Sequence, residues 1–533
     1  MKRDRNHPSI VIWSLGNEEW AIEGNSKGTR IAASMQTYAQ KLDSSRAFTA
    51  ACSGGWDGGI GTVMEVMGYN YMVQGNIDEH HAKFPWQAGI GTEESNTIGT
   101  RGIYETNSSV GHLAPTNRMP ENIGTESGWH FYNERPFLAG LFYWTGFDYR
   151  GEPTPFGWPA VASQFGIVDL CGFPKDIYYY LQSWWRDEAV LHIATHWNWQ
   201  GNVGAEIKLT AYSNCEEVEL ILNNKSLGKH SVPSNGHLEW MVQYEPGLLL
   251  AKAYKDKQVV LTKNIETTGS PAAIYLKADR DTIKANERDV SVITIQIQDE
   301  NKRLMPTANN EVFFTLEGPG KIIGVGNGNP SSHEPDRFFE TIETMKIEGL
   351  KELPVENLAD RPEVAPGFDY SEWKPAFLNQ SEDWRVYTDS LIVVRGTFIL
   401  PEITDETIVN LFTKSIVEHQ TIYVNGHLIA SDIIRDDPDQ SFQLDHSLLK
   451  DGKNEYAVIG QRFRKAHQWD DPNTDPGLVQ VIYPSEQWKR KTFNGLAQVI
   501  IQSKKNAGEI KLIATSPGLK PADLLIRTEN LDK

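Results

Sequence analysis

Two glutamates stand where predicted strands end: Glu18, beyond the apolar run Ile10–Ser14, and Glu93, which closes Ala88–Thr92. Hydrolysis of a β-glycoside with retention of configuration takes two carboxyl groups about 5–5.5 Å apart, one as acid/base and one as nucleophile. Residues at the ends of nearby barrel strands can reach that spacing, whereas two residues on one short loop rarely do. Position alone decides little, because the chain holds 70 acidic residues and a strand-end glutamate is ordinarily a surface residue or a helix cap. The weight falls on the flanking residues and on the elements that must hold the pair.

Those elements alternate between strand and helix over the first part of the chain. Ile10–Ser14 is a continuous, β-branched run, the pattern of a strand buried on both faces. A helix is predicted over about Lys27–Leu42, with Ile31, Met35, Tyr38 and Leu42 on one stripe. Further strands are expected at Ala47–Ala51, Val63–Tyr69, Ala88–Thr92 and Phe137–Trp144, a helix near Ser127–Asn133, and a Tyr/Trp-rich helix from Pro174 to about Trp185. Successive βα units imply a parallel sheet with right-handed crossovers. Polar residues at most strand ends (Asn17, Glu18, Tyr69, Asn70, Glu93 and Thr145 to Asp148) suit a (β/α)8 barrel, which places its chemistry there. An open α/β sheet has the same pattern, and the barrel is favoured over it.

From residue 190 the rhythm changes to short alternating strands. Glu206–Tyr212, Glu217–Leu222 and Leu248–Tyr254, with a turn at Asn223–Ser226, predict an immunoglobulin-like β-sandwich over 190–270. Gly269–Pro271 is a plausible linker. A second sandwich starts at Ala273, with strands at Val290–Gln298 and Val312–Leu316, and returns in Phe493–Thr515, giving 271–337 plus 491–527. Between them, Val393–Leu400, Thr407–Phe412 and Thr421–Val424, the last followed by the hairpin pair Asn425-Gly426, predict an inserted β-rich domain over 338–490.

A length of 533 residues implies three or four domains at about 150 residues each. The net charge of −19 disfavours nucleic acid and anionic membranes as partners, since no sizeable basic patch is visible and the run Lys489–Lys491 is only three residues long. A neutral substrate fits better, and the 16 tryptophans offer faces for sugar rings as well as core. Cys52, Cys171 and Cys215 have no CxxC spacing, so neither a zinc site nor a disulfide framework is implied. No apolar run has the length of a membrane span, and the N-terminus does not read as a signal peptide. Asp78-Glu79-His80-His81 is read as a solvated loop rather than a metal cluster, with His81 in reach of an active-site rim. Gly324–Pro330 is read as a sandwich turn, because no helix follows to cradle a phosphate.

Three stretches resemble glycoside hydrolase family 2, β-galactosidase-like branch. Asn6–Glu18 (NHPSIVIWSLGNE) is similar to the family's acid/base signature on barrel strand four. Gly91–Ser95 (GTEES) looks like its nucleophile strand, with Glu93 selected and Glu94, facing the other side, as second choice. Phe142–Pro159 together with Phe165–Asp176 resembles the eighth-strand region. The resemblance implies a retaining exo-hydrolase of terminal β-D-galactosides with Glu18 as acid/base and Glu93 as nucleophile. It implies that Asn17 bonds the sugar 2-OH, that Tyr69 bonds the nucleophile, that Trp144 forms a sugar platform, and that Asp148 and Asp169 line the pocket. No cofactor is required by that reading; sodium or magnesium often accompanies the family, with no ligand set assignable here. A β-linked galactoside or oligosaccharide is the implied partner, and a homo-oligomer is open. β-Glucuronidase is disfavoured, because Asp169-Leu170-Cys171 replaces the family's Asn-x-Lys pair, and β-mannosidase stays open.

The resemblance begins just before the fourth barrel strand, so residues 1–189 are expected to be the C-terminal part of a barrel. The favoured reading is a truncated frame; a natural fragment and one half of a complementing pair are the alternatives. Five strands alone expose two edges, and catalysis by the isolated chain is correspondingly in question. A leader upstream would make the protein periplasmic or secreted. Tyr387–Leu400 and Ile422–Leu428 resemble jelly-roll sugar-binding modules more loosely, and the competing function is a non-catalytic carbohydrate-binding fragment.

Overall fold

Short β-branched and aromatic runs form five parallel strands: β1 (Ile12–Asn17), β2 (Ala47–Cys52), β3 (Val66–Asn70), β4 (Ala88–Glu94) and β5 (Leu138–Tyr143). They lie side by side in chain order. The helices α1 (Ser26–Leu42), α2 (Ile77–Lys83), α3 (Thr125–Asn133) and α4 (Asp176–Trp185) accompany them. Parallel neighbours in sequential order, joined through helices, are staves of a (β/α)8 barrel. The computed structural model describes residues 1–94, 97–117, 124–376, 391–414, 416–434, 440–462 and 475–530.

The strands approach closely where glycine permits it. A Cβ on Gly68 would lie 2.4 Å from the Ala50 carbonyl oxygen, so β2 and β3 could not keep their present register with a larger residue there. Beneath the sheet, Cys52, Trp56, Met67, Tyr69, Met72, Ile77, Tyr132 and Leu138 form one buried cluster. Helix α1 starts on Asn25, whose side chain accepts from the backbone N–H groups of Lys27 and Gly28. Its buried face is Gly28, Ala32 and Ala39. The expected stripe is therefore wrong: Ile31, Met35 and Tyr38 are exposed and Leu42 is half-buried. Close packing is the reason, since a Cβ on Gly28 would meet the Ile22 carbonyl oxygen at 2.0 Å and only small side chains fit that face.

Residues Met1–Arg337 with Trp488–Lys533 form one compact unit and Phe338–Gln487 another. In the first unit, two sheets enclose a core of Trp197, Leu209, Val218, Leu220, Trp240 and Val242. Their strands run from Leu191 to Glu266, with Glu217–Leu222 pairing antiparallel to Leu248–Lys255. A second pair of sheets joins distant parts of the chain: Val290–Gln298 pairs with Leu496–Ser503, and Glu311–Glu317 with Gly508–Thr515. The stretch 338–487 thus leaves and re-enters one sandwich. Within that other unit, a four-stranded and a six-stranded antiparallel sheet pack as a jelly-roll-like sandwich around Ile392, Val394, Val409, Leu411, Val458 and Val479. Asn425 and Gly426 both have positive φ, at 49° and 81°, as a two-residue hairpin turn of type I′ requires. Of the segment Tyr387–Leu400, residues 387–390 lie outside the described residues.

A histidine clasps the barrel helix α3 to the first sandwich. His237 Nδ1 bonds the Glu126 carboxylate, and its Nε2 lies 3.0 Å from Glu239 Oε1. The Glu126 hydrogen bond, and then that of Glu239, hold the imidazole above its ordinary pKa against the effect of burial. A folded-state pKa above the unfolded one gives stability that is complete below about pH 6.5 and is lost as pH rises through the folded value. His237→Gln is therefore expected to lower the thermal midpoint at pH 6 and to flatten its decline above neutrality. A pH dependence identical to that of the native chain would refute the clasp.

Candidate active site

The C-terminal ends of the five strands converge on one pocket of about 950 Å³, lined among others by Asn17, Glu18, Trp20, Glu23, Tyr71, Gln74, Glu93, Trp144 and Glu152. Glu18 follows β1 with φ at 49°, and its N–H is bonded to the Ala51 carbonyl of β2. Non-glycine residues at positive φ are uncommon and cluster at functional sites.

Asn70, fully buried at the end of β3, ties the two glutamates together. Its Nδ2 donates to Glu18 Oε1 at 3.0 Å and to Glu93 Oε2 at 3.2 Å, and lies 3.3 Å from Asn17 Oδ1. Thr92 Oγ1 donates to Asn70 Oδ1 at 2.7 Å, which turns the amide nitrogen toward the carboxylates. Two carboxylate oxygens that share one donor are separated by no more than the sum of those two bonds, a distance compatible with the roughly 5–5.5 Å of a retaining pair. On the other side of β4, Glu94 is buried and accepts from the Met72 N–H at 2.5 Å and the Tyr132 hydroxyl at 2.9 Å. Alternation along the strand thus sends Glu93 to the pocket and Glu94 to the core.

The tyrosine that bonds Glu93 is Tyr71, not Tyr69. The Tyr71 hydroxyl donates to Glu93 Oε1 at 2.7 Å. Tyr69 is buried, with its hydroxyl 2.8 Å from His80 Nδ1 and its ring against Trp56, and burial pushes its pKa up. Strand β3 ends at Asn70, and Tyr71 turns out of it at φ 58°. Strand alternation would send Tyr69 and Tyr71 to one face, and the turn separates them.

Asp148 and Asp169 do not line the pocket either. Asp148 is buried beside Lys175, whose Nζ is 2.8 Å from Oδ1, and the Gly166 N–H donates to the same oxygen. Burial pushes the Asp148 carboxyl up to about 6 despite that cation. Asp169 is fully buried, paired with Arg101 Nε at 2.6 Å and accepting from the N–H groups of Cys171 and Phe173. Residues 78–81 lie in helix α2, not a loop, and His81 stacks on Phe137 with ring centroids 3.8 Å apart, away from the pocket lining. Arg490, from the basic run, is buried and bonds Asp336 and Asn327. Of the Gly324–Pro330 turn, residues up to Gly326 lie in a strand.

Trp144 lines the pocket at the end of β5, its ring 5.9 Å from Tyr149, and Asn17 lines it beside Glu18. Sequence reasoning missed Asn70 as a site residue, together with Tyr71, Trp20 and Glu23. The signal available for the first two was their place directly after Tyr69 at a strand end. Among the described residues no group of three or more His, Cys, Asp or Glu side chains is gathered to hold a metal ion, so none is assigned a ligand role. No described helix is long and apolar enough to cross a membrane.

Family descriptions match three parts of the chain: the TIM barrel domain of glycosyl hydrolases family 2 at residues 1–98, a domain of unknown function at 204–261, and glycoside hydrolase family 2 C-terminal domain 5 at 274–346. Beta-galactosidase BoGH2A of Bacteroides ovatus is 37% identical over 385 residues, covering 62% of this chain and 45% of the relative. A putative beta-glucuronidase of Formosa agariphila is 29% identical over 371 residues, covering 62% of this chain and 34% of its own length. The fold is shared with a beta-glycosidase from Bacteroides vulgatus, at a TM-score of 0.62 and 22% identity over 98% of this chain and 52% of that one. The chain spans less than half the length of the curated relatives it matches. Barrel staves and trailing sandwiches agree with these matches, which give residues 1–98 and 274–346 of this chain as domains of glycoside hydrolase family 2.

Proposed function

We propose that this chain carries the catalytic pair of a retaining exo-β-galactosidase. The observation that supports it most directly is the single Asn70 amide nitrogen bonded to both Glu18 and Glu93. In the first step a Glu93 oxygen bonds to the anomeric carbon, the bond to the leaving oxygen breaks, and that oxygen takes the proton of Glu18. In the second, a water oxygen bonds to the anomeric carbon, its proton passes to Glu18, and the ester to Glu93 breaks. Tyr71 and Asn70 donate to the Glu93 carboxylate and hold it in place. Asn17 is suited to the sugar 2-OH and Trp144 to the apolar face of the ring.

A galactoside is favoured over a uronide by charge. The named relatives include both a beta-galactosidase and a putative beta-glucuronidase. Among the described residues lining this pocket, Glu18, Glu23, Glu93 and Glu152 are acidic and none is cationic, which repels a uronate and tolerates a neutral sugar. The test is the anomeric outcome: an aryl β-D-galactoside incubated with the chain and followed by proton NMR should release β-galactose first. Release of the α-anomer, or faster hydrolysis of the matching glucuronide, would overturn the reading.

A further inference from the structure

Glu94, next in the chain to Glu93, is a buried acidic side chain to which the two hydrolytic steps give no task. It is 1% exposed, on the core side of β4 beside Met72 and Tyr132 of the apolar cluster under the sheet. An ionisable side chain is buried at a cost unless its hydrogen bonds compensate. Its Oε1 accepts from the Met72 N–H at 2.5 Å and from the Tyr132 hydroxyl at 2.9 Å. Gly91 leaves room for this contact: a Cβ there would stand 2.4 Å from the Tyr132 hydroxyl and 2.9 Å from Cγ of Glu94.

Met72 directly follows the residue whose hydroxyl bonds Glu93. Tyr71 leaves β3 at φ 58° and ψ 103°, a backbone conformation that a non-glycine residue keeps only where its surroundings fix it. The peptides around it are bonded one by one. The Tyr71 N–H donates to the Glu93 carbonyl at 2.8 Å, the Gln74 N–H donates to the Tyr71 carbonyl at 2.9 Å, and the Met72 N–H donates to Glu94. From this turn the Tyr71 side chain comes back to β4, where its hydroxyl meets Glu93 Oε1 at 2.7 Å. Two consecutive residues of β4 therefore hold the turn that carries Tyr71, Glu93 through its backbone and Glu94 through its side chain.

We propose that Glu94 is a positioning residue: by accepting the Met72 N–H it fixes the turn at Tyr71, and through the Tyr71 hydroxyl it sets the place of the Glu93 carboxylate. Tyr132, on α3, aims Glu94 in turn. The consequence for the reaction rests on the role proposed for Glu93 above; the hold on Tyr71 does not.

Glu94→Gln keeps a carbonyl oxygen that can accept both donors, whereas Glu94→Leu accepts neither. In crystal structures of the two variants the Tyr71 hydroxyl should stay on Glu93 with Gln and leave it with Leu. Tyr71 still bonded to Glu93 in Glu94→Leu overturns the proposal, whether or not the chain turns over a substrate. On an aryl β-galactoside, Glu94→Leu should lower kcat about 10- to 100-fold with KM changed less than about twofold, and Glu94→Gln should recover kcat to within about threefold of native. Tyr71→Phe should lower kcat by a similar factor, and adding Glu94→Leu to it should cost less than about twofold more. A general loss of packing would multiply through both backgrounds, so the same factor in each overturns the proposal. Should Glu94→Leu not fold, Tyr132→Phe takes its place, since it removes only the hydroxyl that aims Glu94. It should lower kcat about threefold in the native background and leave Tyr71→Phe unchanged; an equal loss in both overturns the proposal. If the native chain hydrolyses nothing while Tyr71 moves with the substitutions as stated, the positioning stands and the hydrolytic reading alone falls.

Discussion

Glu93→Gln is expected to lower kcat on aryl β-galactosides by about 10⁴-fold or more, and Glu18→Gln by about 10²–10⁴-fold, with different dependences on the leaving group. The amide at position 93 can still accept from Tyr71, but it cannot form the glycosyl ester, so every substrate loses the first step alike. At position 18 the loss depends on how much the leaving oxygen needs a proton. A dinitrophenolate leaves without one, so the first step survives in Glu18→Gln. The second step still lacks its base, and a burst of about one equivalent of phenolate should precede slow turnover. Azide needs no base to attack the intermediate, so it should restore turnover in Glu18→Ala with formation of the β-galactosyl azide. Stopped-flow absorbance and NMR of the products check both. A burst in the Glu93 variant, or azide rescue that depends on leaving-group acidity in the same way for both variants, would reverse or remove the assignment.

What was readable beforehand depended on how far along the chain the deciding contacts lie. The alternation Gly91-Thr92-Glu93-Glu94 is local, and it alone places one glutamate in the pocket and its neighbour against Met72 and Tyr132. The strand and turn patterns of the sandwiches are equally local, as the hairpin at Asn425-Gly426 illustrates. Tyr71 was hidden by a single backbone turn: no periodicity announces that β3 stops at Asn70 and that the next residue takes a positive φ. Helix α1 misled for a different reason. Its large apolar residues form the more regular stripe, yet the chain at Ile22 and Ile60 packs so close against the other face that Gly28, Ala32 and Ala39 are buried instead. Asp148 and Asp169 stand in the right loops for a pocket. Their partners come from elsewhere: Lys175, Arg101 and, through Arg101, residues more than two hundred positions away.

That last contact carries the second large expectation. Arg101 is almost wholly buried; its Nε meets Asp169 at 2.6 Å, and its Nη2 donates to the carbonyls of Asn327 at 3.0 Å and Phe493 at 2.8 Å. One guanidinium therefore joins the barrel loop at Asp169 to two segments of the second sandwich, between the rings of Phe173 and Phe493. Removing either partner leaves a buried charge uncompensated, at a cost of about 3–5 kcal/mol. Arg101→Met and Asp169→Asn should each destabilise the chain by that amount in urea unfolding. The double variant should lose much less than the sum, because it leaves no unpaired charge behind. The cycle also separates structure from binding. If Asp169 contacted the sugar, Asp169→Asn would raise KM and Arg101→Met would not follow it. With Asp169 sealed behind Arg101, the two variants should share one stability loss. In both, KM for the galactoside should stay near the native value under conditions where the chain remains folded. Additive losses in the cycle, or a KM effect confined to Asp169→Asn, would return Asp169 to the pocket.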